Sequence, residues 1–278
     1  MSLLSSILLG LIQGLAEFLP ISSSGHLAIA EHFLGQAGVP ATPDFFDVLL
    51  HLGTLVAVFA AYWQDIRDMI VELIDGVRDL VRGTTPNPIP PARRMILLII
   101  VGTLPLFVVL PIKDLVEGAM SNVTFVSFAL LATGFILFFS DRMARGRKTE
   151  RTATVLDALL VGCAQALGTL PGISRSGITI SAGMLRGYDR TFAVRFSFLM
   201  SLPAVFGATL LELIDAVQAG IDTSLLPVYL VGMLVAGVVG YFAIRRVNLL
   251  AGKGKVGAFA YYCRAAGAIS LAASLAGL

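Results

Sequence analysis

GLIQGLAEFLPISSSGHL, residues 10–27, returns in the second half of the chain as GCAQALGTLPGISRSGITI, residues 162–180. Each stretch is an apolar run interrupted by proline, glycine and serine, which end helices by removing an amide donor or by favouring turns. Allowing one inserted residue after the second proline, Pro20 matches Pro171, Ser22 matches Ser174, Ser23 matches Arg175, Ser24 matches Ser176 and Gly25 matches Gly177; Gln13 likewise matches Gln165. The apolar regions around them, 2–34 and 152–187, therefore read as two broken re-entrant hairpins, and the shared pattern points to an internal duplication.

Working outward, the remaining apolar runs of spanning length are 45–63, 95–112, 122–140, 192–211, 225–244 and 257–278. The composition agrees: 278 residues are 56% hydrophobic and 14% charged, with mean hydropathy +0.86, against about 25% charged in soluble domains. The expected fold is an all-α polytopic membrane protein, which excludes disorder, coiled coil and a small disulfide scaffold. Cys163 and Cys263 both sit in apolar segments, and neither a disulfide framework nor a CxxC metal site is indicated. No secretory signal is expected, because no basic residue precedes the first apolar run. A net charge of +2 gives no reason to expect nucleic acid as a partner.

Loop charge sets the topology. Residues 64–94 carry Arg67, Arg78, Arg82, Arg93 and Arg94; residues 141–151 carry Arg142, Arg145, Arg147, Lys148 and Arg151; residues 245–256 carry Arg245, Arg246, Lys253 and Lys255. These three loops are expected in the cytoplasm. The intervening 35–44, 113–121 and 212–224 hold only Lys113 as a base, beside Asp44, Asp114, Glu117, Glu212, Asp215 and Asp222, and are expected outside. If both hairpins return to the side they entered, the chain is an inverted-topology repeat, 1–140 and 152–278, each half a hairpin plus three spans. Residues 65–82, with Ile66, Met69, Ile70, Leu73, Ile74, Val77 and Leu80 at helical spacing among charges, read as an interfacial amphipathic helix.

Both turns lead into a second half-helix whose first amide groups, helix dipole and serine hydroxyls favour an anion. Arg175 adds a guanidinium fork that matches phosphate oxygens, so a phosphate or diphosphate is the ligand the pattern suits. Gln13 and Glu17, four apart on one helix face, precede Pro20, and His26 follows the serines. Ionisable groups inside a membrane point to function, and these supply a nucleophile, a base and an electrostatic clamp, the minimum for phosphoryl transfer.

QxxxE followed by PISSSGH, together with PGISRSGxT, resembles the signature of the undecaprenyl-diphosphate phosphatase family, the bacterial bacitracin-resistance membrane enzymes. The resemblance covers essentially the whole chain, including FFDVLLHLGT at 45–54 and FSFLMSLPAVFGAT at 196–209. It implies hydrolysis of undecaprenyl diphosphate to undecaprenyl phosphate, stimulated by Mg²⁺ or Ca²⁺, at the periplasmic face of the bacterial inner membrane, to recycle the lipid carrier for cell-wall synthesis. Carried onto this chain, the acidic motif falls on Gln13 and Glu17, the serine loop on Ser22, Ser23 and Ser24, the histidine on His26, and the arginine motif on Ser174, Arg175, Ser176 and Thr179. With glutamine at position 13, Glu17 is the one motif acid for a metal or a proton. The expected catalytic set is Glu17, Ser23, His26 and Arg175, with Ser23 attacking phosphorus; attack by water activated by His26 or by a metal on Glu17 is the competing mechanism.

Duller readings stand beside these. Glu17 and Arg175 could be a buried ion pair, and Ser22, Ser24 and Ser176 helix caps. Asp47 and His51, four apart in the first span, could line the cavity or bond helix to helix. The competing function is a transporter or flippase for a lipid phosphate on the same inverted-repeat anion site. Expected partners are the diphosphate lipid and membrane lipids, and a homodimer is an allowed assembly.

Overall fold

A computed structural model describes residues 1–36, 44–84, 86–219 and 223–276; the predicted outer segments around 37–43 and 220–222, including Asp222, lie outside the described residues. Among the described residues twelve α-helices follow one another: α1 (Leu3–Phe18), α2 (Ser23–Gln36), α3 (Asp44–Ala61), α4 (Trp63–Arg82), α5 (Pro91–Thr103), α6 (Lys113–Gly118), α7 (Val123–Met143), α8 (Val155–Leu167), α9 (Arg175–Leu185), α10 (Arg190–Ala219), α11 (Leu226–Gly252) and α12 (Ala258–Leu275). Among the described residues there is no strand, only one isolated bridge between Lys148 and Tyr188. The protein is all-α and polytopic. Pro91–Ile112, Val123–Met143, Arg190–Gln218 and Leu226–Gly252 are long and apolar enough to cross a bilayer, and Phe45–Ala61 with Trp63–Arg82 passes as a pair bent by 82°. The 18 residues of α12 span about 27 Å; Arg264 and the pair Tyr261 and Tyr262 make it less apolar than the others.

Both hairpins form where the two quoted motifs lie. Each predicted span also has a helix, but three differ in extent. Only Pro91–Thr103 of the 95–112 run is α-helical, started by Pro91 at its first position; Pro105 and Pro111 cannot donate to an α-ladder, and Leu104–Val108 and Leu110–Ile112 wind as 3₁₀ turns. The 192–211 span extends over 30 residues and accommodates Pro203 inside it. The 225–244 span runs on to Gly252, so Arg245 and Arg246 stand on a helix rather than in a loop. After α3, α4 turns away at Tyr62 and leaves Leu73, Val77 and Leu80 exposed, as an interfacial helix requires. Arg195 of α10 pairs with Asp65 of α4 and with Glu150, fixing that bend to the bundle.

Helix contacts cross between the halves. α1 packs on α11, and α8 packs on α5, each through a glycine pair that lets the backbones touch. A methyl group placed at Gly10 would sit 2.5 Å from the carbonyl oxygen of Gly232, and one at Gly162 would strike the Gly102 backbone. α7 and α12 meet through Gly134 and Gly267 and through hydrogen bonds between Ser127 and Ser270 (2.8 Å) and between Thr124 and Ser274 (2.8 Å). Gly10→Val is therefore expected to force α1 off α11. Thermal unfolding in detergent should show a loss of about 1–3 kcal/mol, the usual effect of overpacking, whereas Gly207→Val, where a Cβ meets nothing within 4 Å, should leave the midpoint near that of wild type.

Candidate functional site

The first turn begins where α1 stops. Leu19 takes an extended conformation, Pro20 follows, and Ser22 is held in the left-handed region at φ 74°, a conformation a non-glycine residue adopts only under constraint. Its Oγ accepts from the Gly25 amide at 3.2 Å and so caps α2. The second turn repeats the device: Ser174 Oγ accepts from the Gly177 amide at 3.1 Å and caps α9. Cap and third serine are neighbours in both, Ser22 and Ser24 at 3.4 Å, Ser174 and Ser176 at 3.3 Å. Between Pro171 and Ser174 the chain passes Gly172 at φ 87°, where a Cβ would lie 2.5 Å from the Val126 carbonyl oxygen, so only glycine fits.

The two turns touch. Ser176 Oγ donates to the Leu19 carbonyl at 3.5 Å, a methyl on Gly25 would be 3.1 Å from Gly172 Cα, and one on Gly177 would be 3.4 Å from Pro20 Cβ. Glu17 is the joint. One carboxylate oxygen accepts from Arg175 across the turns; the other accepts from Ser23 Oγ at 2.7 Å and from Gln13 Nε2 at 3.3 Å. A hydroxyl donating to a carboxylate, with a guanidinium beside it, can release the hydroxyl proton and attract an electron-rich phosphoryl group at the same place.

Glu17, Ser23, Ser24, Ser174, Arg175 and Ser176 line the polar end of a cavity of about 580 Å³. Its other walls are mainly apolar and include residues from Thr103 to Met120 and from Pro203 to Leu211. The remaining expected residues lie behind this surface. Gln13 and Ser22 are buried against their own hairpin, and Thr179 bonds to Ser197 at 2.6 Å, fastening α9 to α10. His26 also turns away. Its Nδ1 donates to the Ser22 carbonyl at 2.7 Å, its Nε2 accepts from Tyr262 Oη at 2.8 Å, and the ring stacks on Tyr262. Both imidazole nitrogens are thereby engaged in holding the serine turn against α12.

Three ionisable residues outside the expected set also line the cavity, His51 of α3, Lys113 of α6 and Glu212 of α10. The only signal for His51 in the sequence was its four-residue spacing from Asp47 on a span; Glu212 stood among the acids assigned to an outer loop. Among the described residues no three His, Cys, Asp or Glu side chains gather as a metal site. Of the motif residues Glu17 alone carries a carboxylate, so a divalent ion held there would complete its shell with phosphate oxygens and water, the usual manner of Mg²⁺.

The chain is 39% identical over 264 residues to the undecaprenyl-diphosphatase of Halothermothrix orenii, covering 95% of each chain. It is 38% identical to that of Methanosphaera stadtmanae over 99% of both, and 41% identical to that of Syntrophotalea carbinolica over 99% of this chain and 100% of the relative. Residues 6–269 match the family described as bacitracin resistance protein BacA. With nearly its full length matched and its two serine turns joined through Glu17 and Arg175, the chain belongs to the bacitracin resistance protein BacA family.

Proposed function

We propose that the protein is an integral-membrane phosphatase that removes the terminal phosphate of undecaprenyl diphosphate, returning the monophosphate carrier to cell-wall synthesis. The observation that carries this reading is the Ser23–Glu17–Arg175 constellation, assembled from both turns in the wall of a largely apolar cavity. The apolar walls suit the prenyl chain, and the polar end suits the diphosphate.

In the first step Ser23 Oγ attacks the terminal phosphorus while its proton passes to Glu17. The bond to the bridging oxygen breaks, and the electron pair leaves on the lipid monophosphate. Arg175 turns its fork to the phosphoryl oxygens and offsets the charge that develops there. Water then attacks the phosphoserine, the Ser23 oxygen recovers its proton from Glu17, and inorganic phosphate departs. Ser24, Ser174 and Ser176 donate to phosphate oxygens; Gln13 and Ser22 hold Glu17 and the turn, while Thr179 and His26 fasten the hairpins from behind. Mg²⁺ or Ca²⁺, when bound beside Glu17, would supply further positive charge to the diphosphate.

The two halves, 1–140 and 152–278, we read as inverted repeats, supported by the matched caps and by the exchanged packing of α1 on α11 and α8 on α5. The cavity walls from Val116 to Met120 and from Ala208 to Glu212 belong to, or adjoin, segments that loop charge assigns outside, which supports an opening toward the periplasm.

The test is release of inorganic phosphate from a long-chain polyprenyl diphosphate by the purified protein in detergent, with Mg²⁺ or Ca²⁺ present. Chelation by EDTA should lower the rate about tenfold or more, and either ion added back should restore it. No release by wild type under any of these conditions would overturn the phosphatase reading in favour of a transporter of lipid phosphates.

A further inference from the structure

Five ionisable side chains line the cavity: Glu17, His51, Lys113, Arg175 and Glu212. Two of the cations already face carboxylates. Arg175 pairs with Glu17, and Lys113 Nζ donates to Asp215 at 2.9 Å. A lipid diphosphate brings two to three further negative charges, so the lining that the motifs supply is short of positive charge.

His51 answers that shortage. Its Nδ1 donates to the Asp47 carbonyl at 3.0 Å, which fixes the ring on α3. Glu212 Oε2 lies 3.8 Å from the same nitrogen, and among the described residues that oxygen is buried without a hydrogen-bond partner. An unmatched carboxylate oxygen at such a place is costly, and an imidazolium beside it relieves the cost. Nε2, at the other edge of the ring, makes no hydrogen bond among the described residues, and the side chain forms part of the cavity wall.

We propose that His51, steadied by the facing Glu212 carboxylate, is a second cationic ligand for the substrate diphosphate, working together with Arg175. This deepens the phosphatase reading and rests on it. Neither residue belongs to the two signature turns: His51 comes from α3 and Glu212 from α10, so the diphosphate would be gripped by three elements rather than two, with α10 steadying the third. Glu212 acts through His51 and is a positioning residue.

The experiment compares wild type, His51→Leu, His51→Gln, Glu212→Gln and the His51→Leu/Glu212→Gln double variant. It reads KM and kcat with a polyprenyl diphosphate, and the inhibition constant of inorganic pyrophosphate. His51→Leu should raise both KM and the pyrophosphate constant by about tenfold or more, the loss of one charge-assisted bond, with kcat within about threefold because such a contact serves ground and transition states alike. His51→Gln, which keeps a donor without the charge, should fall between. Glu212→Gln should raise KM in wild-type background but add nothing to His51→Leu, since residues acting as a unit are not additive. Unfolding midpoints establish that each variant is folded, and His51→Gln carries the test if His51→Leu is not. An unchanged pyrophosphate constant in the folded His51 variants overturns the inference, as does a kcat lowered a hundredfold with KM unmoved, or a double variant whose losses multiply. Absence of hydrolysis by wild type would instead sink the phosphatase reading itself.

Discussion

Ser23→Ala is expected to lower phosphate release by ~10³-fold or more, the scale seen when an activated nucleophile is removed and only binding and electrostatics remain. The reason is geometric. Ser23 is the serine whose hydroxyl donates to Glu17 while its side chain lines the cavity. Ser22 lies in the same run but spends its oxygen on the Gly25 amide, so Ser22→Ala should act on the stability of α2, by about 1 kcal/mol, the usual effect of a lost cap. Rapid quench of wild type with substrate labelled in the terminal phosphate should trap label on the protein, and Ser23→Ala should trap none. Wild-type turnover without trapped label, together with residual activity in Ser23→Ala, would shift the chemistry to direct attack by water.

Arg175→Ala should be equally severe, for two reasons that act together. It removes the fork that meets the phosphoryl oxygens, and it leaves Glu17, only 8% exposed, as a carboxylate without its cation inside the membrane. Breaking such a pair costs about 3–5 kcal/mol, so some of the loss should appear as a lowered unfolding midpoint. Arg175→Lys separates the contributions. Lysine keeps the charge and should recover most of the stability, yet it cannot present two parallel donors, so phosphate release should stay about a hundredfold or more below wild type. Full activity in the lysine variant would show that Arg175 contributes charge alone.

Much of this site is legible in the sequence. Proline, glycine and serine interrupt two apolar runs at matched places, and those interruptions are where α1 gives way to α2 and α8 to α9. Ser22 caps α2, as one reading of its residue type allowed, whereas α9 is capped by Ser174 and not by Ser176, whose hydroxyl turns to the Leu19 carbonyl of the other hairpin. That the turns meet followed from reading them as one duplicated element with Glu17 on one copy and Arg175 on the other.

Other features depend on neighbours that local sequence does not encode. His26 begins a helix in a motif full of polar groups, which suggested a place in the chemistry. Its direction is set by the left-handed Ser22 and by Tyr262, 236 residues away, which takes the outer ring nitrogen. His51 shows the converse. Spacing gives the face of α3 on which it lies but not that Glu212 of α10 stands across from it. The 3₁₀ course of 104–112 was open to inference from Pro105 and Pro111, yet hydropathy alone sees an unbroken run there. Charge counting likewise divides loops from spans by composition, and it therefore ends the last-but-one helix at Arg245, although α11 continues as helix to Gly252.

The claim that the serine turn and the arginine turn serve one phosphoryl group is tested most directly by a double-mutant cycle on phosphate release, using Ser23→Ala, Arg175→Ala and the pair combined. Two groups acting on the same transferring phosphorus predict that the double variant is slower than the worse single by no more than about threefold. Losses that multiply, each turn failing independently of the other, would contradict a shared site.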